Sequence, residues 1–236
     1  MLMSSPLDDI LPALTQTSGD PRQMLALVGR LSEPESMRSL IDLTLSDDER
    51  AAKIAAASLR HANGFQKIVL TDGAGPQLRL HIWSPRASDE PNLLENAHNH
   101  RWGFATTVLV GAYTVTTFSP TPGDAYLWHR YEPARSKLDY TLTEQGAADL
   151  VVLGVATFHG GSSYWTHPSV VHRVSADPDA FTATLLAVAE ASSSNTDVFF
   201  PRGRSGGVVG QKRHEHISAA DLRASLESLG RYLGLS

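Results

Sequence analysis

From Phe65 onward the chain changes its period. FQKIVLTD, LRLHIWS, ENAHNHRWGFATTVLVGAYTV, DAYLWHRYEP, LVVLGVATF, SVVHRVSA and FTATLLAVAEA are rich in β-branched and aromatic residues and are separated by turns containing Gly, Pro or Asp. Side chains alternate between the faces of a strand, so such runs bury one face and need a second sheet to cover it. Many short strands of this kind point to an antiparallel sandwich or jelly-roll barrel from Phe65 to about Val198. The residues before Phe65 are helical in pattern. Asp20-Pro21 reads as an N-cap with proline at N1, and Met24, Leu27, Val28 and Leu31 repeat at helical spacing. Ser32 with Glu35, and Ser46 with Glu49, match the capping box, and DDERAAKIAAASLRHAN is expected to end at Gly64. After the loop-like PRGRSGGVVGQKRHEH, Ser218 should cap a helix with Leu222, Leu226, Leu229 and Leu233 on one side. The expectation is a mainly β protein with an N-terminal helical extension over 1–64, a barrel over 65–200 and a loop with a C-terminal helix over 201–236, all of one domain.

Composition narrows the function. A chain of 236 residues can bury a full core, and a formal charge of -5 with no basic stripe argues against nucleic acid as a partner. No apolar run is long enough to span a bilayer, and Asp8 and Asp9 stand where a signal peptide would carry positive charge. With no cysteine, disulfides, thiolate ligands and a cysteine nucleophile are excluded. A soluble, cytoplasmic protein is the expectation.

The placement of the ten histidines is uneven. His98 and His100, two residues apart, should share a strand face with Trp102, Phe104, Thr106 and Val108. Two imidazoles on such a face are either satisfied core residues or two ligands of one metal. A third ligand would come from a distant strand packed opposite, and YWTHPSVVHRV offers His167 and His172. His167 precedes Pro168, which favours an extended turn, whereas His172 lies inside SVVHRVSA with Val170 and Val174 on its face. His172 is therefore the expected ligand, and His167 a residue that faces the substrate or supports the ligands. His61, His81, His129 and His159 read as structural. His214-Glu215-His216 repeats the H-x-H spacing but sits beside Lys212 and Arg213, so a solvated basic turn is expected there. Gly203-Arg204-Ser205-Gly206-Gly207 fits G-x-S-x-G without the flanking strand and helix that a nucleophile elbow needs, which excludes a serine hydrolase.

The H-x-H pair followed by Gly111 resembles the first motif of the cupin superfamily, and the G-x(10)-H spacing from Gly161 to His172 resembles the second. That family builds a jelly-roll, or double-stranded β-helix, barrel. Its first motif often carries a glutamate ligand where this chain has Phe104. The resemblance thus implies a site of His98, His100 and His172, similar to the cysteine dioxygenase branch. Residues 65 to 190 follow that branch in outline, including His172-Arg173-Val174. They depart from it where a Tyr-x-Arg would stand, since this chain has Phe65-Gln66-Lys67, and where a histidine and a tyrosine would stand, near Leu186 and Val188. A cysteine-tyrosine crosslink is impossible here. What the resemblance implies is an oxidoreductase using Fe(II) and dioxygen, and a barrel that pairs as a homodimer.

Three imidazoles leave a divalent ion its full charge and open positions. On iron that suits an anionic chelating substrate plus dioxygen, and hence a small amino- or thiol-bearing acid. On zinc it would favour hydrolysis or proton transfer, as in an isomerase, lyase or hydrolase. Nickel and manganese are further candidates, and a ligand-binding barrel without turnover stays open. A substrate carboxylate needs a fixed cation, for which Lys67, at the family's arginine position, and Arg79, on a face with His81 and Trp83, are the candidates. Trp102 and Phe104 are expected to line the substrate. Arg173 should point away from the metal. Tyr164 and His167, in a loop at the barrel mouth, are the candidate catalytic groups, with Trp165 beside them either as wall or as packing.

Overall fold

The computed structural model describes residues 6–61, 63–71, 75–85, 95–133, 140–203 and 214–235. Helices α1 (Pro6–Thr17), α2 (Pro21–Leu31), α3 (Pro34–Leu45) and α4 (Asp48–Ala57) come first, and α5 (Ala219–Tyr232) comes last. Between them run β1 (Leu59–Arg60), β2 (Gln66–Val69), β3 (Gln77–Trp83), β4 (Ala97–His98), β5 (Phe104–Val110) and β6 (Ala112–Pro133). There follow β7 (Tyr140–His159), β8 (Ser163–Thr166), β9 (Val171–Ala176), β10 (Thr182–Val188), β11 (Thr196–Pro201) and β12 (Glu215–His216). One sheet has seven strands in the order β12-β1-β2-β3-β10-β5-β8; the other has five, β11-β4-β9-β6-β7, with β11 also bonded to β6. Every pairing described is antiparallel. The two sheets face one another, because Val108 and Tyr164 of the first pack with Tyr113, Val115 and Val174 of the second. This is the mainly β jelly roll that the sequence led us to expect.

The seven-stranded sheet is covered on both faces, which explains the unbroken apolar run from Leu185 to Ala189. Along β10 every residue is buried. Ala183, Leu185 and Ala187 join Met24, Leu78, Leu80 and Leu226 in the helix-side cluster. Leu186 and Val188 turn the other way and meet Phe104 inside the barrel. A half-exposed strand would alternate, whereas one buried on both faces has no polar face to show. Fully burying one leucine contributes ~1.5–3 kcal/mol, so the helical layer is part of the barrel's stability.

Local signals place the helices with small shifts. Asp20 caps α2, accepting from the N–H groups of Arg22 and Gln23. Ser32 and Ser46 close α2 and α3 instead of opening the next helix. Asp47, not Ser46, caps α4 by accepting from Glu49 and Arg50. An ionised carboxylate is the stronger acceptor of the two neighbours. The α4 helix stops at Ala57, and Gly64 (φ +84°) serves a tight turn between β1 and β2 instead. Ser218 forms a complete capping box with Asp221, and Leu222, Leu226 and Leu229 are buried as expected. Among the described residues no helix is long and apolar enough to cross a membrane.

The strand expected to run from His98 to Val108 is broken. β4 belongs to the five-stranded sheet and β5 to the seven-stranded one. The chain crosses between them at Arg101–Gly103, beneath the indole of Trp165. A Cβ on Gly103 would lie 2.4 Å from Trp165 Cζ2, so only glycine fits this crossing. Gly111 closes the β5–β6 turn with φ +74°, and Gly161 lies in the β7–β8 turn with φ +87°. Both motif glycines therefore occupy the left-handed region that glycine tolerates best. The break puts the two histidines on one wall and Phe104 on the other, facing them.

Candidate metal centre

His98 on β4 and His172 on β9 are direct register partners. His100 lies just past β4, where its N–H donates to the Pro168 carbonyl at 3.1 Å. The ring centroids are 4.8 Å (His98–His100), 5.1 Å (His98–His172) and 5.0 Å (His100–His172) apart. One ligand atom from each residue lies within 4.8 Å of the others. Nδ1 of His98 donates to the Asn96 carbonyl at 2.9 Å, and Nδ1 of His172 to the Val170 carbonyl at 3.1 Å. Those bonds fix the tautomer that leaves Nε2 with its lone pair turned inward. His100 Nε2 and His172 Nε2 are 3.3 Å apart. Two nitrogens bound at about 2.0–2.1 Å to one tetrahedral ion are separated by about 3.3 Å, so the donor set fits a divalent cation. Burial pushes His172 down to about 3, with the neighbouring His98 adding to it, and holds His100 well below the usual imidazole range. Both rings are neutral at pH 7, as a metal ligand must be.

Asn99, between the two histidines, is latched to β11. Its N–H donates to the Asp197 carbonyl at 3.1 Å, and its Nδ2 donates to Asp197 Oδ2 at 3.1 Å. The Asp197 N–H donates in return to Asn99 Oδ1 at 2.7 Å, and Trp128 Nε1 donates to Asp197 Oδ1 at 2.9 Å. Nothing in the sequence singles out Asn99, Asp197 or Trp128, because their roles depend on a pairing between distant strands. The nearest signal is an amide placed between two candidate ligands.

Opposite the histidines the wall is apolar. The Phe104 ring stands edge-on to His100 at 5.2 Å and 6.1 Å from His172, clustered with Leu186, Val188, Trp102 and Tyr164. Trp102 stacks near-parallel to His100 at 5.9 Å, and the guanidinium carbons of Arg79 and Arg101 each lie 4.7 Å from the indole centre. Arg79 is only 9% exposed and donates from Nε to Gln77 Oε1 at 2.8 Å. Burial, then the Arg101 charge, lowers Arg79 to about 10, and Arg79 is itself among the charges that depress His100.

Lys67 stands elsewhere. It is the register partner of His81, and its charge depresses His61, His81 and His214. Those residues form a second group, with His61 stacked on Phe65 at 4.6 Å and Phe65 in turn 4.6 Å from His81. His214 is buried, contrary to the solvated turn expected from its charged neighbours. It lies 4.6 Å from His61 and 5.8 Å from Tyr140 because β12 adds to the sheet edge and turns it inward. Glu215 and His216 are exposed. Residues 204–207 of the G-x-S-x-G match, with Lys212 and Arg213, lie outside the described residues.

Tyr164 is on β8, not in a loop, and its hydroxyl meets that of Tyr113 at 2.6 Å. Burial raises Tyr113 to about 12 and holds Tyr164 well above the usual phenol range. A cavity of about 400 Å³ is lined by Tyr164, His172, Val115, Thr117, Phe158 and Thr166, among others. Trp165 packs toward the helix-side cluster. His167 is exposed in the turn before β9, with Nδ1 2.8 Å from Ser169 Oγ, and is not part of the three-histidine group. Arg173 lies on the outer face with its guanidinium 5.5 Å from the Phe118 ring. The structure thus brings Trp102 and Phe104 against the three histidines, with Tyr164 in the same cluster as Phe104 and Arg79 against Trp102, and leaves Lys67 and His167 outside the ligand set.

No protein-family model and no curated protein matches the sequence. Among solved structures, hydroquinone 1,2-dioxygenase from Sphingomonas sp. TTNP3 with 4-hydroxybenzoate bound is similar over 53% of this chain and 65% of its own length, at 8% identity and a TM-score of 0.32. An RmlC-like cupin from Shewanella frigidimarina is similar over 56% of this chain and 83% of its own, at 12% identity and a TM-score of 0.31. A variant of oxalate decarboxylase from Bacillus subtilis is similar over 58% of this chain and 28% of its own, at 13% identity and a TM-score of 0.34. Likeness this slight carries no argument about chemistry; the fold and the site stand on strand order and side-chain geometry.

Proposed function

We propose that the chain is a metal-dependent jelly-roll enzyme in which His98, His100 and His172 hold a divalent ion, iron(II) in the first instance, and that it oxidises a small acid with dioxygen. The observation that carries this proposal is the convergence of three imidazole donors with no carboxylate among them. Phe104 occupies the facing position. When bound, iron would supply a redox centre with its full double charge and open positions for an anionic chelator and dioxygen. The chain's own residues do the rest. Asn96 and Val170 carbonyls hold the ligand tautomers. Phe104, Leu186 and Val188 exclude water from one side. Arg79 offers a buried cation for a substrate carboxylate. Tyr164 keeps its proton on the hydroxyl at neutral pH, shared with the Tyr113 hydroxyl at 2.6 Å, and lines the same cavity as His172.

Metal analysis of the purified protein, with oxygen uptake measured on a panel of small amino and thiol acids, tests this. Iron-dependent uptake of oxygen is the expected result. Full turnover without oxygen on the zinc form would instead assign an isomerase, lyase or hydrolase.

A further inference from the structure

The space beside His172 is walled largely by hydrocarbon. Directly paired residues of an antiparallel sheet share a face, and β6 pairs Thr117 with His172 and Val115 with Val174. On its other edge β6 pairs Thr117 with Gly154, Val115 with Ala156 and Tyr113 with Phe158. His172 therefore shares the inner face of the sheet with Val115, Ala156 and Phe158, and all four line the cavity of about 400 Å³. The opposite wall is β8, where Tyr164 pairs with Thr106 and Thr166 with Phe104. Phe158 and Tyr164, whose rings stack at 4.2 Å, join the two walls. Because the Phe104 ring is 5.2 Å from His100, the β8 wall continues into the wall that faces the ligands. β7 is the last strand of its sheet, and Gly154, Val155 and Ala156 are exposed, so the cavity opens on that side.

Among the described residues that line the cavity there is no Asp, Glu, Lys or Arg. Two of its hydroxyls are already engaged. Tyr164 shares a hydrogen bond with Tyr113 at 2.6 Å, and Thr117 Oγ1 donates to the Gly154 carbonyl at 3.4 Å. A charged group placed there would lose its water without gaining a partner, whereas hydrocarbon is stabilised by leaving water. The volume lies near the lower end of small-molecule sites, which run to about 300–1,000 Å³, and suits one ring or one branched chain.

We propose that the cavity between β6, β7 and β8 receives an uncharged hydrocarbon group of the substrate, so that the substrate class is an acid with one aromatic ring or one branched alkyl chain and no second charge at that end. This rests on the metal-binding reading given above, in which the acid's chelating end lies at His98, His100 and His172. The apolar group then enters past the exposed edge of β7, and selection among acids is made by Val115, Ala156 and Phe158.

Calorimetric titration with 2-hydroxy acids tests this, because they share one chelating end and differ only in the group that would enter the cavity. 3-Phenyllactate and 2-hydroxyisocaproate carry hydrocarbon, malate carries a second carboxylate, and glycolate carries no side group. Each is titrated into the zinc-loaded protein, with metal content measured on the same samples. One methylene matched to an apolar pocket is worth roughly tenfold or more. At least one of the two hydrocarbon-bearing acids should therefore bind at least tenfold more tightly than glycolate, and malate no more tightly than glycolate. Ala156→Leu and Gly154→Val fill the cavity from an exposed edge strand, and a Cβ on Gly154 meets only Thr117 Oγ1, at an ordinary 3.5 Å. Either variant should cut the ratio of that acid's affinity to glycolate's at least fivefold with metal content unchanged; the second serves if the first does not fold. Equal binding of all these acids by a protein that holds stoichiometric zinc, tightest binding of malate, or a ratio untouched by both variants overturns the proposal and leaves the metal centre standing. A protein that takes up no zinc overturns the metal-binding reading. The cavity assignment then stands if a hydrocarbon-bearing acid still outbinds glycolate and Ala156→Leu still removes that preference, and falls if not.

Discussion

Asn99→Ala separates a residue that positions ligands from one that only stabilises the barrel. The substitution removes the Asn99 Oδ1 that accepts from the Asp197 N–H at 2.7 Å and the Nδ2 that donates to Asp197 Oδ2 at 3.1 Å. The backbone bond from Asn99 N–H to the Asp197 carbonyl and the Trp128 bond both survive. Each part-buried group left unmatched costs about 1–3 kcal/mol, and water reaching the carboxylate recovers some of it, so a loss of about 2–3 kcal/mol is expected. Urea unfolding of the metal-free protein reads that loss as a lower midpoint at unchanged slope. The second effect is on the metal. Asn99 lies between two ligands, and loosening it frees both rings to leave the convergent geometry. Supporting groups of this kind change metal affinity by roughly 10–100-fold. Competition with a chromogenic chelator measures it. If affinity is unchanged while stability falls by the expected amount, the latch braces the barrel only and the positioning argument is refuted.

Other outcomes follow from the same geometry. His172→Ala should abolish stoichiometric metal, as should His98→Ala and His100→Ala, while His167→Ala should keep it; metal analysis showing the reverse for His167 and His172 would overturn the ligand assignment. Gly103→Ala places a Cβ 2.4 Å from Trp165 Cζ2 and 3.3 Å from the Thr166 carbonyl, and overpacking of this order should cost about 1–3 kcal/mol by denaturant unfolding. The metal-free protein should weaken in acid. His172, lowered to about 3, binds its proton in the unfolded chain first, so stability is intact above about pH 7 and falls as pH drops below 6.5 by about 1.4 kcal/mol per unit for that group. His61, His81, His100 and His214 are lowered too and steepen the loss, so a flat stability between pH 7 and pH 5 would contradict their burial.

The barrel and its ligands were legible in the sequence for physical reasons that also mark where legibility stops. Period-two runs require a covered sheet whatever the partner, so most strands of the barrel stood out. YWTH did not read as a strand although Ser163–Thr166 is one, because Tyr164 and Trp165 bury themselves against different layers and leave no polar face. β11 was missed because SSSNTDVFFP is too polar at its start to suggest a buried strand; its value lies in Asp197, which the Asn99 latch uses. His98, His100 and His172 could be chosen from motif spacing and strand faces. The continuous strand assumed for the first two was wrong, yet the pair still points inward, since register with His172 rather than continuity with Phe104 sets its direction. Arg79 was legible as a strand residue on the same face as His81, whereas Arg101 was not. Its neighbourhood is created by the crossing at Gly103, a backbone event that a sequence pattern does not encode. The same crossing brings Trp102 against His100 and both guanidiniums against Trp102. The one glycine among the described residues whose Cβ would strike Trp165 thus sets the ligand wall and the Trp102 stack beside it, which is why a change at Gly103 should disturb metal affinity as well as stability.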